Sequence, residues 1–485
     1  MALSKKDALE AVRTVLENQR TQELPRLQRI ANALDVNPDR SFVPTVQIPE
    51  DAPPLMKALA AESETNYLPL LVKTFSQVMK VDGYESQSAA DAVEPWDWWQ
   101  RNRMDSRQTG LTRSAISFGA AYATVLPGEY GRGLKGPSIS LYSARKMTGL
   151  YQDPEADEWP MLSVAVDESS RGLQTLTLFD DEMVYRFGVE DRVPSLMSDI
   201  WSVPYGSRSL VFIEASSHGL AVPPVVRYRD RNLLAGEEQF GVVEPLLRIQ
   251  ERINETTFEM LVAQYFQAFK QRYVLGWVPK DQQEELRAGA ARIWYLDEDP
   301  ADVKIEELPG GSPEPYIKTR ESALRDFAAI GQVPVQTLGI DGISNISDAT
   351  LAGLEAAKNR EGGEIMTSLG ESHEQLLRLC ALVDGNTVAA DDYGSEVRWR
   401  NFEARSFAQT VDGLGKLATM LGIPADALLE DVPGFTGQRL ERVKTAMQQQ
   451  GATSRVQALV EAARGLRNGD AGSGGGVPAS NGGTV

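Results

Sequence analysis

Apolar positions recur at helical spacing through the first 34 residues. The stretch MALSKKDALEAVRTVLENQRTQELPRLQRI predicts a helix broken near Pro25. A Pro-rich connector, NPDRSFVPTVQIPEDAPP, leads to NYLPLLVKTFSQVMKVDGY, an apolar helical run predicted to end at Gly83. EPWDWWQRNRMDSRQTGLTRSAISFG predicts a further helix, with Pro95 in its first turn and Trp99, Met104, Leu111 and Ile116 at rough helical spacing. From Ala120 to Arg229 the period changes to two. YATVLPG, SISLYS, LSVAVDE, LQTLTLFD, EMVYRFG, SLVFIEAS and PVVRYRD predict strands between Gly-, Pro- and Asp-rich turns.

The helical period returns from Glu244 to Arg272, with Pro245 in the first turn. Leu246, Ile249, Ile253, Met260, Leu261, Tyr265 and Phe269 form a long apolar stripe. Pro245 to Lys270 would span about 39 Å. A small α/β insert follows: YVLGWV, RIWYL and VKIEELPGG read as strands and PKDQQEELRAGA as helix. SPEPYIKTRESALRDFAAIG returns to helix, so the insert sits like a head on a two-helix stalk. The second stalk helix stops at Gly331–Pro334, because a proline disfavours helix at the residue before it, Val333. In the next segment, VQTLGIDGISNISD, Gly339 and Gly342 permit turns, and Ser347 or Asp348 can cap a new helix. That helix is predicted from about Asp348 to Val383, with Gly353, Gly362, Gly363 and Gly370 as weak points where it can bend. SEVRWRNFEARS reads as a strand. DGLGKLATMLGIPADALLEDVPGFTGQRLERVKTAMQQQ and SRVQALVEAARGL read as short helices. The closing RNGDAGSGGGVPASNGGTV reads as a disordered tail. The fold class is α+β.

A length of 485 residues implies two to four folding units, and 42% apolar content supplies their cores. A formal net charge of −19 argues against tight nucleic-acid binding, which needs clustered cations. It allows a surface that meets DNA and releases it. The interval Asp326–Ala357 contains no Lys or Arg. The single cysteine, Cys380, lies in the apolar run EQLLRLCALV; it reads as a buried structural thiol and excludes a disulfide within the sequence. No stretch approaches 18 consecutive apolar residues and the N-terminus lacks a signal-peptide core, so a cytoplasmic protein without a membrane span is expected.

The search for chemistry returns little. HEQLL begins like a zincin helix but lacks the second histidine, and two distant histidines with one cysteine make a zinc site a poor fit. A surface or capping role is expected for His218 and His373. GRGLKG (Gly131, Gly133, Gly136) matches G-x-G-x-x-G but precedes a strand instead of opening a helix, so a β-hairpin loop is expected. SARK (Ser143, Lys146) lacks its partner motifs, and no G-x-x-x-x-G-K-[ST] or G-x-S-x-G occurs. PWDWWQ reads as core and helix-anchor packing in preference to a base-stacking platform. RYRDR (Arg227, Arg229, Arg231), with Asp230 inside it, reads as intersubunit or structural salt bridges. No enzyme activity, metal or cofactor is expected.

Three segments carry a resemblance. PVVRYRDRNLLAGEEQFGVVEPLLRIQERINETTFEMLVAQYFQAFKQRYVLGW resembles the stem-helix region of tailed-bacteriophage portal proteins. RDFAAIGQVPVQTLGIDGISNISDATLAGLEAA resembles the second stem helix and tunnel loop of that family. PWDWWQRNRMDSRQTGLTRSAISFGAAYATVLPG resembles its N-terminal wing. The match runs from about Asn66 to Leu382.

The resemblance implies a portal fold with a helical and β wing, a two-helix stem, a small α/β clip, a long kinked wing helix and a helical crown. Residues 1–234 would be the N-terminal region and wing, 235–272 the first stem helix, 273–315 the clip and 316–338 the second stem helix. Residues 339–347 would be the tunnel loop, 348–400 the wing helix and strand, 401–466 the crown and 467–485 the tail. Gly339, Asp341, Gly342, Ser344, Asn345 and Ser347 would face DNA in the tunnel loop. Trp277, Lys280, Glu284, Glu285 and Arg292 would lie on the clip.

A homo-oligomeric ring, usually of twelve, is implied at one capsid vertex of the virion, assembled in the host cytoplasm. Its implied partners are the terminase large subunit, a head–tail adaptor, the major capsid and scaffold proteins, and double-stranded DNA passing without sequence preference. Twelve helices spaced by about 10 Å close a circle of about 120 Å and leave a bore of roughly 28 Å, enough for a duplex. The alternative is a virion connector or structural protein without a channel.

Overall fold

The computed structural model describes residues 3–34, 46–86, 95–130, 133–168, 174–189, 210–234, 236–268, 272–276, 303–307, 312–340, 348–400, 407–424, 427–429, 432, 442–447 and 449. The chain divides into two compact units, Met1–Phe402 and Glu403–Val485.

Helix α1 (Lys5–Val15) begins where the Ser4 side chain accepts the Asp7 amide hydrogen. The expected break at Pro25 is displaced. Regular helix is lost in a π-helical turn, Leu16–Arg20, and Pro25 sits inside α2 (Thr21–Leu34). The carbonyl that Pro25 leaves without its helical donor is that of Thr21, the first residue of α2. Arg20, at the end of that turn, is buried and donates to the Ala144 and Arg145 carbonyls.

Two antiparallel sheets follow. One has the order β3-β2-β9, built from β2 (Ala120–Tyr130), β3 (Leu134–Ser143) and β9 (Val225–Arg229). The other runs in sequence through β4 (Met147–Leu150), β5 (Leu162–Glu168), β6 (Gln174–Phe179), β7 (Met183–Val189) and β8 (Leu210–Ser217). Alternation decides which face each side chain takes. Val164, Val166, Leu176, Leu178, Tyr185 and Phe187 pack under Ala8, Val12 and Val15 of α1, while Ala165 and Val184 pack with Tyr122 and Val225 of the first sheet. Strand β4 has no counterpart among the expected strands, because MTGL is too short to show a period.

Gly133 and Gly136 of GRGLKG belong to the β2–β3 hairpin, as expected, with Tyr130 opposite Leu134, while Gly131 lies outside the described residues. Gly136 has a second reason. A Cβ there would lie 2.2 Å from the Trp98 ring. Gly136→Ala is expected to destabilise the fold by about 2 kcal/mol, measured by thermal or denaturant unfolding.

The predicted single helix over 95–119 is two, α5 (Pro95–Arg101) and α6 (Met104–Phe118), with Arg103 at φ 56° between them. The buried Asn102 side chain accounts for the break: it donates to the Trp98 and Pro137 carbonyls and accepts from the Ile139 amide, binding the edge of β3. Trp98 and Trp99 are buried and Trp96 stacks on Trp99, so this cluster is core packing. Helix α3 (Pro54–Ser63) precedes α4 (Leu68–Ser76), which ends well before Gly83. Gly83 instead lies in β1 (Val81–Glu85), paired with β12 (Glu396–Trp399).

The pair α7 (Leu247–Ala268) and α8 (Glu314–Ile330) is joined distally by the antiparallel strands β10 (Arg272–Leu275) and β11 (Lys304–Glu307). The strand RIWYL and the helix PKDQQEELRAGA lie outside the described residues. Helix α9 runs as one element from Asp348 to Asp384, and the short α10 (Thr387–Ala390) follows. Gly370, expected as a weak point, is a contact site: a Cβ there would approach Trp399 and Val397 of β12 at 3.4 and 3.6 Å. In the second unit α11 spans Phe407–Leu421. The last predicted short helix and the Gly/Ser tail lie outside the described residues. Among the described residues no helix is long and apolar enough to cross a membrane.

Candidate functional site

The root of α7 is held by polar groups where an apolar stripe was expected. Leu246 and Ile253 are buried as predicted, but Met260, Leu261 and Tyr265 are only half-buried, and Phe269 lies outside the described residues. The buried face of α7 instead includes Gln250, Asn254, Thr256 and Thr257. Gln250 accepts from the Tyr67 amide at 2.9 Å and donates to the Thr65 carbonyl at 2.8 Å and to Asn254 at 2.9 Å. Asn254 donates to Glu64 at 2.6 Å. Across the pair, Arg320 of α8 donates to Thr257 Oγ1 at 3.2 Å and to the Tyr67 hydroxyl at 3.0 Å. Arg252 meets Asp326 at 2.5 Å. Directional bonds of this kind admit one register, whereas apolar contacts tolerate sliding. The available signal was the i, i+4 amide pair Gln250–Asn254. From the other side, Arg26 and Arg29 of α2 clamp Glu244 just before α7, at 2.5 and 2.7 Å.

Helix α8 ends as the Pro334 argument requires. Its last residue is Ile330, Gly331 follows as C-cap, and Gln332 adopts φ 53°. The Val333 amide reaches back to the Ala328 carbonyl at 3.0 Å. A 3₁₀ turn, Val335–Leu338, then closes on Gly339 at φ 78°, in the left-handed region that favours glycine. Val333, Leu338 and Ile340 are buried, so the entry to the loop is pinned to the core. Asp341, Gly342, Ser344, Asn345 and Ser347 lie outside the described residues, as do Trp277, Lys280, Glu284, Glu285 and Arg292. The structure therefore locates only Gly339 among the residues singled out.

Beyond the loop, α9 is fastened to β9. Ser368 and Ser372 donate to the Arg229 and Arg227 carbonyls at 2.9 and 3.1 Å. RYRDR makes structural contacts within the chain. Arg227 and Arg229 donate to the Pro154 carbonyl, Arg227 also lies over the Tyr151 ring, and Arg231 bridges Asp230 at 3.2 Å and Glu361 of α9 at 3.0 Å. Burial pushes the Asp230 carboxyl up to about 7, although Arg231 and Gln239 pull the other way.

The two histidines are not on the surface. His218 is buried, with Nε2 3.0 Å from the Asp180 carbonyl and Nδ1 accepting from the Leu220 amide. His373 is buried among Trp99, Tyr228 and Trp399, with Nδ1 3.1 Å from the Tyr228 hydroxyl. A neutral imidazole packs like an aromatic ring, and burial lowers the His373 pKa to about 3. Cys380 is buried, as expected, and burial raises its thiol pKa. Among the described residues no group of three or more His, Cys, Asp or Glu could hold a metal ion.

Fold and site together show a polar-rooted helix pair and a pinned corner built into a mixed helix and sheet core. The chain belongs to the phage portal protein family, SPP1 Gp6-like, whose family model matches residues 14–452. It is thus a phage portal or connector protein. Two solved structures are similar to it at 13% identity. The one described as "Virion of native gene transfer agent (GTA) particle" covers 78% of this chain and 92% of its own, with a TM-score of 0.42. The one described as "Neck of empty GTA particle computed with C6 symmetry" covers 78% and 95%, with a TM-score of 0.40. No curated protein matches.

Proposed function

We propose that this portal protein forms a ring at one capsid vertex and passes double-stranded DNA through its bore during packaging and ejection. The ring is of twelve copies, α7 and α8 form the stem, and the loop 339–347 is the constriction. Residues 273–315 dock the terminase and then the head–tail adaptor, and the wing meets capsid and scaffold proteins. One observation carries this reading: from Asp326 to Ala357 the chain has no Lys or Arg, only Asp326, Asp341, Asp348 and Glu355 as charges. DNA is held by cations that replace its counterions, so a turn without them lets the duplex slide. Family membership supports the reading, as does a firmly anchored Gly339, since a constriction must hold its position against a moving polyanion.

Ser344→Lys and Asn345→Arg test it. Each would place a ring of cations at the constriction. DNA per filled head, or ejection rate, is expected to fall by about tenfold or more while rings and heads still assemble. Unchanged packaging and ejection in both variants would overturn the placement of the constriction.

A further inference from the structure

The geometry points to a charge-matched contact between neighbouring stems, in which Glu251 and Glu255 on α7 of one copy face Arg325 on α8 of the next. This rests on the ring reading and adds which edges meet. On α7, helix α8 packs along the side of Thr257 and Arg252, where Arg320 and Asp326 reach across. At about 100° per residue, Glu251 and Glu255 lie about 40° apart on the side turned away from α8. Both are exposed, and neither has an ion-pair partner among the described residues. On α8, Ala323, Leu324, Phe327 and Ala328 are buried. Arg325 lies on the outer side, 52% exposed, with Glu321 3.7 Å away on the same helix. The outward side of α7 thus carries Glu251 and Glu255 beside exposed Arg248, a net negative edge, and the outward side of α8 presents Arg325 beside Glu321.

The heights also agree. Arg252 pairs with Asp326 and Thr257 with Arg320, so the antiparallel register puts Arg325 level with the stretch between Glu251 and Glu255. A cyclic ring joins unlike edges and keeps every residue at one height on the axis. For a stem running along that axis, the neighbour's Arg325 arrives between the two carboxylates, within about 4 Å of each along the stem. An exposed pair of this kind contributes little by itself, but it recurs at every contact and penalises a wrong edge or a slipped register.

The test uses three full-length proteins: the unsubstituted chain, Glu251→Arg/Glu255→Arg, and Arg325→Glu, each checked for native circular dichroism. Ring fraction is read at low salt by native mass spectrometry and negative-stain microscopy. Each variant alone is expected to lose rings by about tenfold, because its edges now carry like charge. Mixing the two variants in equal amounts restores unlike edges at every contact. So does placing all three substitutions in one chain. Both are expected to recover the ring fraction to within about twofold. Rings formed by either variant at the unsubstituted level would overturn the pairing, as would a folded mixture that fails to recover them. An unsubstituted protein that forms no rings would overturn the ring reading itself.

Discussion

Gly241→Ala is expected to destabilise the Met1–Phe402 unit by about 3 kcal/mol, at the upper end of what an added methyl costs in a packed interior. The new Cβ would lie 2.4 Å from the Ile116 carbonyl oxygen and 2.6 Å from that of Ser117. Both are backbone atoms in the last turn of α6, so no side-chain rotation relieves the collision. The same crossing is tight from the other side: Gly119, at φ 82°, would place a Cβ 2.9 Å from the Phe240 carbonyl carbon. Here the segment that feeds the root of α7 runs over the end of α6, fixed by the Val242 amide on the Ile116 carbonyl at 2.8 Å. The measurement is the denaturant midpoint, with Gly110→Ala as the control of opposite sign. Gly110 lies inside α6 with nothing within 4 Å of an added Cβ, and its replacement is expected to gain about 1 kcal/mol. Equal effects at the two glycines would remove the backbone-crossing argument.

The second large effect is acid sensitivity at His373. Its folded pKa is lowered to about 3 from the ordinary 6.5, so the native state binds fewer protons than the unfolded chain between those values. Stability is full above the unfolded pKa and is lost as pH falls through that window, by about 4 kcal/mol at the lower end. His373→Phe should flatten the acid limb of a melting-temperature profile between pH 6.5 and 3.5. It should also lower stability at pH 7 by about 1 kcal/mol, because the buried Tyr228 hydroxyl loses its partner. Asp230 has the opposite sign: its pKa is raised, so it contributes stability at low pH that fades as pH climbs towards about 7. Asp230→Asn should therefore steepen the net acid limb. Equal acid sensitivity in the unsubstituted protein and in His373→Phe would place the imidazole in contact with water.

Much of the architecture is legible in residue order, because period and punctuation are local. The change to period two at Ala120, the helices on either side of residues 272–307, and the stop at Gly331–Pro334 follow from alternation, proline geometry and glycine. The absence of cations from Asp326 to Ala357, on which the channel reading depends, is a property of composition and needs no coordinates. What escaped was set by contacts between distant segments. Nothing near Asn102 shows that its amide will bind β3 and cut a helix in two. Nothing near His373 shows the three aromatic rings that keep it neutral. Nothing near Gly241 shows the α6 carbonyls beneath it. Gln250 and Asn254 look like solvent-facing positions until residues 64–67 arrive beside them to accept and donate their bonds. Sequence by itself determined the elements and the charge of the turn, because both depend on neighbours along the chain. Tertiary structure alone decided which polar groups are buried and satisfied, because desolvation and hydrogen bonding depend on distant partners, such as Thr65 for Gln250, 185 residues away.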